Sequence, residues 1–346
     1  DNSQIDSYFI HFDLNELKTK MKDVIKELKF FKSNDFAFID VHNEKLFYQN
    51  FEVLLKISQM IQDINLTNSD ENQFLGDMFE GFLDQGVKQS EGQFFTPMPI
   101  VKFIINSLPN KDNPKVIDYA CGAGHFLNEY ASQNQNSEIV GIEKEYRLSK
   151  VAKVSSFMYG SEIDIIYSDA LSQNEKIKNN SFDVLIANPP YSVKGFLETL
   201  HDDDRKLYEL IDTIDEKSYQ TNNAIECFFL ERAKQLLDKN GVAGIIVPSS
   251  ILNKGNKNSI YVKTREIILR FFDIAAIAEF GSGTFGKTGT NTVTLFLQRK
   301  CDKENLEGNL ADLTNKLFER KFDIHDSFKD KDLLLKYCNH IKIDLE

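Results

Sequence analysis

Two hydrophobic rhythms divide the chain. Up to about Ser90, apolar residues recur every three or four positions with charges between them, in "LNELKTKMKDVIKELKFF", "NFEVLLKISQMIQDI" and "ENQFLGDMFEGFLDQG". That period lays an apolar stripe along a helix, and Gly86 supplies a stop. Residues 1–90 are therefore expected to form an N-terminal helical domain. From Lys115 the rhythm changes to short continuous apolar runs: "KVIDYA", "EIVGIE", "IDIIYSD", "FDVLIAN", "GVAGIIVP", "DIAAIAEF" and "NTVTLFLQ". Helical stretches such as Tyr146–Met158 and Glu226–Leu237 lie between several of them. Apolar runs separated by helices predict a parallel sheet covered on both faces. The expected fold is α/β, with a Rossmann-like sheet over residues 91–300. After Arg299 the chain turns charged and resumes helical spacing at "ADLTNKLFERKF", which predicts a C-terminal helical or linking segment, 301–346.

In such sheets, ligands bind beyond the carboxyl ends of the strands. Four successive runs finish there on a polar residue: Asp118, Glu143, Asp169 and Asn188. Their recurrence marks a site. The polar stretch from Ser192 to Asn223 is too long for a simple connection and is expected to be a lid, a substrate loop or an inserted helix.

Within "VIDYACGAGHFL", Gly122 and Gly124 allow a tight strand-to-helix turn that a ligand can approach closely. The three-glycine dinucleotide fingerprint is incomplete, because Leu127 holds its third position. Glu143 closes the next strand, where a carboxylate accepts both hydroxyls of a ribose. Asp169 is placed to accept from an exocyclic amino group such as that of adenine. Singly, each carboxylate could cap a helix or loop. Together they favour an adenosine-type ligand, with a dinucleotide still open at this point.

Asn188-Pro189-Pro190-Tyr191 is the most specific signal. Two prolines fix their own φ and restrict the residue before them, so the corner is rigid. The Asn188 carboxamide oxygen and the Pro189 carbonyl can both accept from one planar amino group, and Tyr191 offers a ring face for a flat base. The competing reading is a proline-stiffened surface turn.

Composition narrows the partners. The 346 residues are 41% hydrophobic and 27% charged, an ordinary globular balance, and no apolar run approaches the ~20 residues of a membrane span. The net charge is −12, whereas a protein gripping DNA mainly through phosphates carries a basic stripe. Four scattered cysteines without C-x-x-C spacing argue against zinc or a disulfide framework and for a reducing cytoplasm. The opening "DNSQIDSYF" is not a signal peptide and lacks an initiator Met, so the chain is expected to be a fragment.

These motifs, in this order, resemble the adenine-N6 DNA methyltransferases, in particular the modification subunits of type I restriction systems and fused restriction–modification enzymes. The resemblance runs from about Asn72 to Gln298. Within it, "EGQFFTP" resembles the upstream cofactor segment, which would set Phe95, Thr96 and Pro97 against S-adenosylmethionine. "DYACGAGHF" resembles the glycine loop and implies cofactor contacts from Asp118, Ala120, Gly122 and Gly124. Glu143 matches the ribose acid, and "SDAL" implies that Asp169 and Ala170 meet the adenine of the cofactor. "NPPY" matches the catalytic loop, and "ERAKQLLDKNGVAGIIVPSSIL" the helix–strand pair after it. The family implies double-stranded DNA as substrate, with an adenine turned out of the duplex. Since nothing here looks like a reader of base sequence, a specificity subunit or fused target-recognition domain is expected, and the resemblance implies a restriction subunit as a further partner.

One motif points elsewhere. "GSGTFGKT", Gly281–Thr288, matches the letters of a phosphate-binding P-loop, which must run straight into a helix. Here "GTNTVTLFLQ" follows, β-branched with a period of two, so a strand is expected and the ATPase reading falls. What remains is a glycine-rich turn around Phe285. In the resembled family that position carries the aromatic that packs on the extruded base, and Lys287 would lie near a backbone phosphate. No Pro-Cys pair supports cytosine-C5 chemistry, so Cys121 reads as a small packing residue. His125 reads as helix-start packing, with a cofactor contact as the alternative. Two rivals stay open: a methyltransferase of protein glutamine or RNA guanine, which also uses N/D-P-P-Y/F loops, and a non-catalytic scaffold that only binds the cofactor.

Overall fold

The computed structural model describes residues 96–134, 136–256, 259–281, 284 and 291–300, with Thr19, Lys56 and Met60 as isolated helical positions. The rest of the expected helical domain 1–90, the segment 301–346, and the site candidates Phe95, Phe285 and Lys287 lie outside the described residues.

Helix α1 (Met98–Ser107) opens the described region and buries Ile100, Val101, Ile104 and Ile105. Strand β1 (Lys115–Asp118) and helix α2 (His125–Gln133) follow, then β2 (Glu138–Glu143), α3 (Tyr146–Met158), β3 (Ile163–Tyr167) and β4 (Phe182–Ala187). Two short helices, α4 (Phe196–Thr199) and α5 (Asp202–Arg205), precede α6 (Ile225–Leu236) and β5 (Leu237–Pro248). Helices α7 (Ser250–Asn253) and α8 (Ile260–Phe271) lead to β6 (Phe272–Phe280) and β7 (Thr292–Arg299).

The seven strands form one sheet in the order β3-β2-β1-β4-β5-β7-β6. Strands β1 to β5 pair in parallel, and β7 runs antiparallel to both β5 and β6. Two apolar clusters cover the two faces. One contains Ile104, Val116, Leu127 and Ile186, the other Ile117, Leu185, Phe228 and Ile267. Gly141 and Gly244 let side chains meet the sheet closely. A Cβ on Gly141 would stand 2.6 Å from Leu127 Cδ1, and one on Gly244 would stand 2.7 Å from Ile104 Cγ2.

The expected parallel sheet covered on both faces holds over β1 to β5, and the last two strands depart from it. β7 is antiparallel, and in β6 every residue from Asp273 to Ile277 is exposed despite the apolar run. Among the described residues β6 is an edge strand, paired only with β7. Register joins Phe280 to Thr292 in an antiparallel pair, and among the described residues the element that follows the P-loop-like stretch is strand β7.

The 192–223 stretch is an inserted helical segment. It buries Phe196, Leu197, Leu200, Tyr208 and Leu210 against the second cluster. Tyr208 donates to the Leu171 carbonyl (2.7 Å), and Asp204 accepts from the Gln173 amide (2.8 Å). Among the described residues, no helix is long and apolar enough to cross a membrane.

Candidate active site

Strand order reverses between β1 and β4, the place where an open α/β sheet leaves a crevice at its carboxyl edge. A cavity of about 790 Å³ lies there. Its walls include Ala120, Gly122, Glu143, Asp169, Ala170 and the whole corner Asn188–Tyr191. Four strand ends, separate in sequence, thus open into one space. The inserted segment adds Phe196 and Thr199 to the wall.

Hydrogen bonds set the glycine loop. Asp118 Oδ1 accepts from the Ala120 amide (3.0 Å), and Glu143 Oε2 accepts from the Gly122 amide (2.9 Å). Gly122 (φ +53) and Gly124 (φ +86) occupy the left-handed region that favours glycine. Gly124 caps α2, and its amide bonds the Cys121 carbonyl at 2.8 Å. Asp118 is buried beneath the loop rather than on the cavity wall, and its Oδ2 has no partner among the described residues. Burial, with Glu143 nearby adding to it, pushes this carboxyl up to about 8. Cys121 is buried between the loop and β2, and burial raises its thiol well above the ordinary range, which suits packing and not nucleophilic work. His125 opens α2.

The two acids at the ends of β2 and β3 are held differently. Glu143 Oε1 accepts from the Glu145 amide (2.7 Å), so each of its oxygens holds one backbone N–H. Burial raises its pKa, and these amides only partly oppose the rise. Asp169 Oδ1 accepts from the Leu171 amide (2.9 Å), and Oδ2 pairs with Lys144 Nζ (2.7 Å). Lys144 also donates to Thr199 Oγ1 (3.1 Å), spanning from β2 to the inserted segment. Lys144 and Thr199 were not singled out in the sequence. A lysine directly after the strand-end acid was a signal for the first, but nothing local marked the second.

Asn188 stands at the far side of the cavity. Its Nδ2 donates to Thr96 Oγ1 (3.0 Å), and its Oδ1 accepts from the Tyr191 hydroxyl. Thr96 therefore touches the corner itself, while Pro97 begins the turn into α1, its carbonyl accepting from Ile100 and Val101. Pro189 and Pro190 both line the cavity. The corner faces inward.

The sequence model of the family described as N-6 DNA Methylase matches residues 70–344. The chain belongs to this family. It is 26% identical over 265 residues to the type I restriction enzyme MjaVII methylase subunit of Methanocaldococcus jannaschii, covering 74% of this chain and 45% of that protein. It is 22% identical over 280 residues to the EcoEI methylase subunit of Escherichia coli, covering 76% and 53%. The chain thus spans about half the length of the curated relatives it matches. Among solved structures it resembles the type I restriction-modification system methyltransferase subunit of Streptococcus thermophilus, with a TM-score of 0.58 and 19% identity over 90% of this chain and 72% of that one. A Listeria monocytogenes protein assigned to the class I S-adenosylmethionine-dependent methyltransferases gives 0.59 and 18%, over 74% and 77%. These likenesses fix the fold of the chain as Rossmann-like.

Proposed function

We propose that this methylase transfers the methyl group of S-adenosylmethionine to the N6 amino group of adenine in DNA, as the modification component of a restriction system. The observation that carries the reading is the shared cavity: the Asn188 corner and the acids Glu143 and Asp169 face one space.

The residues present fit that cofactor. A Cβ on Gly122 would meet nothing within 4 Å, so the loop's outer face is open to a ligand. Glu143 keeps a second acceptor position on each oxygen for ribose hydroxyls, and Asp169 can accept from an adenine amino group. When bound, S-adenosylmethionine supplies a methyl group made electrophilic by its sulfonium.

The chain's own residues do the rest. Asn188 Oδ1 and the Pro189 carbonyl accept the two N–H bonds of the target amino group and hold its nitrogen toward the cavity. Tyr191 supplies a flat face to the base. Fixed orientation and placed acceptors give the acceleration without a covalent enzyme intermediate. With a net charge of −12, the chain leaves most of the DNA grip to a recognition region or specificity subunit.

Transfer of tritium from labelled S-adenosylmethionine to duplex DNA tests the assignment, with RNA and protein offered in parallel. Label in N6-methyladenine, lost in Asn188→Ala, is the expected result. Label in RNA or protein alone, or cofactor binding with no transfer in the complete assembly, overturns it.

A further inference from the structure

The residue after the corner, Ser192, has φ +55, a left-handed conformation that a side chain disfavours. Something must hold it. Its amide donates to Glu226 Oε2 at 3.1 Å. Glu226 lies in the first turn of α6, where the helix dipole favours a carboxylate, and only 1% of it is exposed. Its other oxygen, Oε1, accepts from the Tyr261 hydroxyl at 3.0 Å, and Tyr261 in turn accepts from Lys254 Nζ at 3.1 Å. Glu226 is not on the cavity wall, although its neighbours Ile225 and Phe229 are.

We propose that Glu226 is a positioning residue for methyl transfer. It ties the end of the Asn188–Tyr191 corner to α8 through Tyr261, and so holds the corner's acceptors in their working places. This rests on the methyl-transfer reading above. Two unconnected segments, 192 and 261, converge on one buried carboxylate, each using one of its oxygens. Burial, with the Glu226 carboxylate adding to it, raises the pKa of the Tyr191 hydroxyl, the group that donates to Asn188 Oδ1. Losing the tie lets Ser192 relax out of its disfavoured φ. Pro189 and Pro190 would carry that movement rigidly back to Asn188.

The test uses the complete chain with its recognition component, S-adenosylmethionine and unmethylated duplex DNA. Glu226→Met keeps the side-chain length and removes both acceptors. It is expected to lower kcat about 10-fold or more while the cofactor Kd stays within about 2-fold. Glu226→Gln, keeping one acceptor oxygen, should recover part of the loss. Ser192→Gly in the Glu226→Met background should recover more, because glycine adopts φ +55 freely. Wild-type kcat in Glu226→Met, or equal losses in kcat and cofactor affinity, overturns the proposal. Should Glu226→Met not fold, Tyr261→Phe serves: a fall of about 3-fold in kcat at constant Kd supports the tie, and no change overturns it. Hydrogen exchange at the Ser192 amide reads the contact without turnover. Faster exchange in the variant supports the tie even if the wild-type chain proves to methylate nothing, and unchanged exchange removes it.

Discussion

Asn188 and Thr96, 92 residues apart in the chain, are joined by a 3.0 Å hydrogen bond from Nδ2 to Oγ1. That bond turns the other end of the carboxamide, Oδ1, toward Tyr191 and the cavity. Thr96→Val keeps the shape and removes the acceptor. Single-turnover methyl transfer should slow about 10-fold, the worth of roughly one hydrogen bond, with cofactor affinity nearly unchanged. Asn188→Ala should cost about 100-fold or more, since it removes the acceptor itself.

Glu143 ties the glycine loop to the turn after β2, holding the Gly122 and Glu145 amides at 2.9 and 2.7 Å. Glu143→Gln is expected to weaken S-adenosylmethionine by about 10- to 100-fold, the usual worth of hydrogen bonds to a charged group. Isothermal titration would show it. An unchanged Kd would remove Glu143 from the ribose role.

Asp118 makes stability depend on pH. Its native carboxyl is raised from 3.8 to about 8, so between those values the folded chain holds a proton that the unfolded chain has lost. The contribution is fully present below 3.8, declines as pH rises, and is gone above about 8. Urea unfolding at several pH values should show that downward slope, and Asp118→Asn should flatten it.

Gly141 on β2 lies under α2. A methyl group there would sit 2.6 Å from Leu127 Cδ1 and 2.7 Å from Ile165 Cδ1. Gly141→Ala is expected to destabilise the domain by about 1–3 kcal/mol through overpacking, measured as a lower denaturation midpoint. Co-substitution of Leu127 by Val should return part of that loss.

Much of this was legible in the chain itself. Asp118, Glu143, Asp169 and Asn188 could be placed at successive strand ends because buried parallel strands read as continuous apolar runs, and a polar residue marks where each run stops. The corner was legible because consecutive prolines dictate backbone shape locally. The P-loop look-alike could be dismissed because β-branched alternation marks a strand, and β7 is one. Other features were hidden. β6 carries the apolar run of a buried strand yet ends as an exposed edge, because its place in the sheet depends on how the last hairpin folds back. Lys144 could be seen beside Glu143, but its reach to Asp169 and Thr199 could not.

The sequence by itself determined that Asp118, Glu143, Asp169 and Asn188 stand at successive strand ends and in what order the strands deliver them, since periodicity, glycine turns and proline rigidity act over a few neighbouring residues. Tertiary structure alone decided what those residues touch. Thr96 meets Asn188, Asp118 sinks beneath its loop, and Glu226 reaches both Ser192 and Tyr261 only after the sheet has closed. Such contacts join positions far apart in the chain, and their partners are set by packing, which no local pattern encodes.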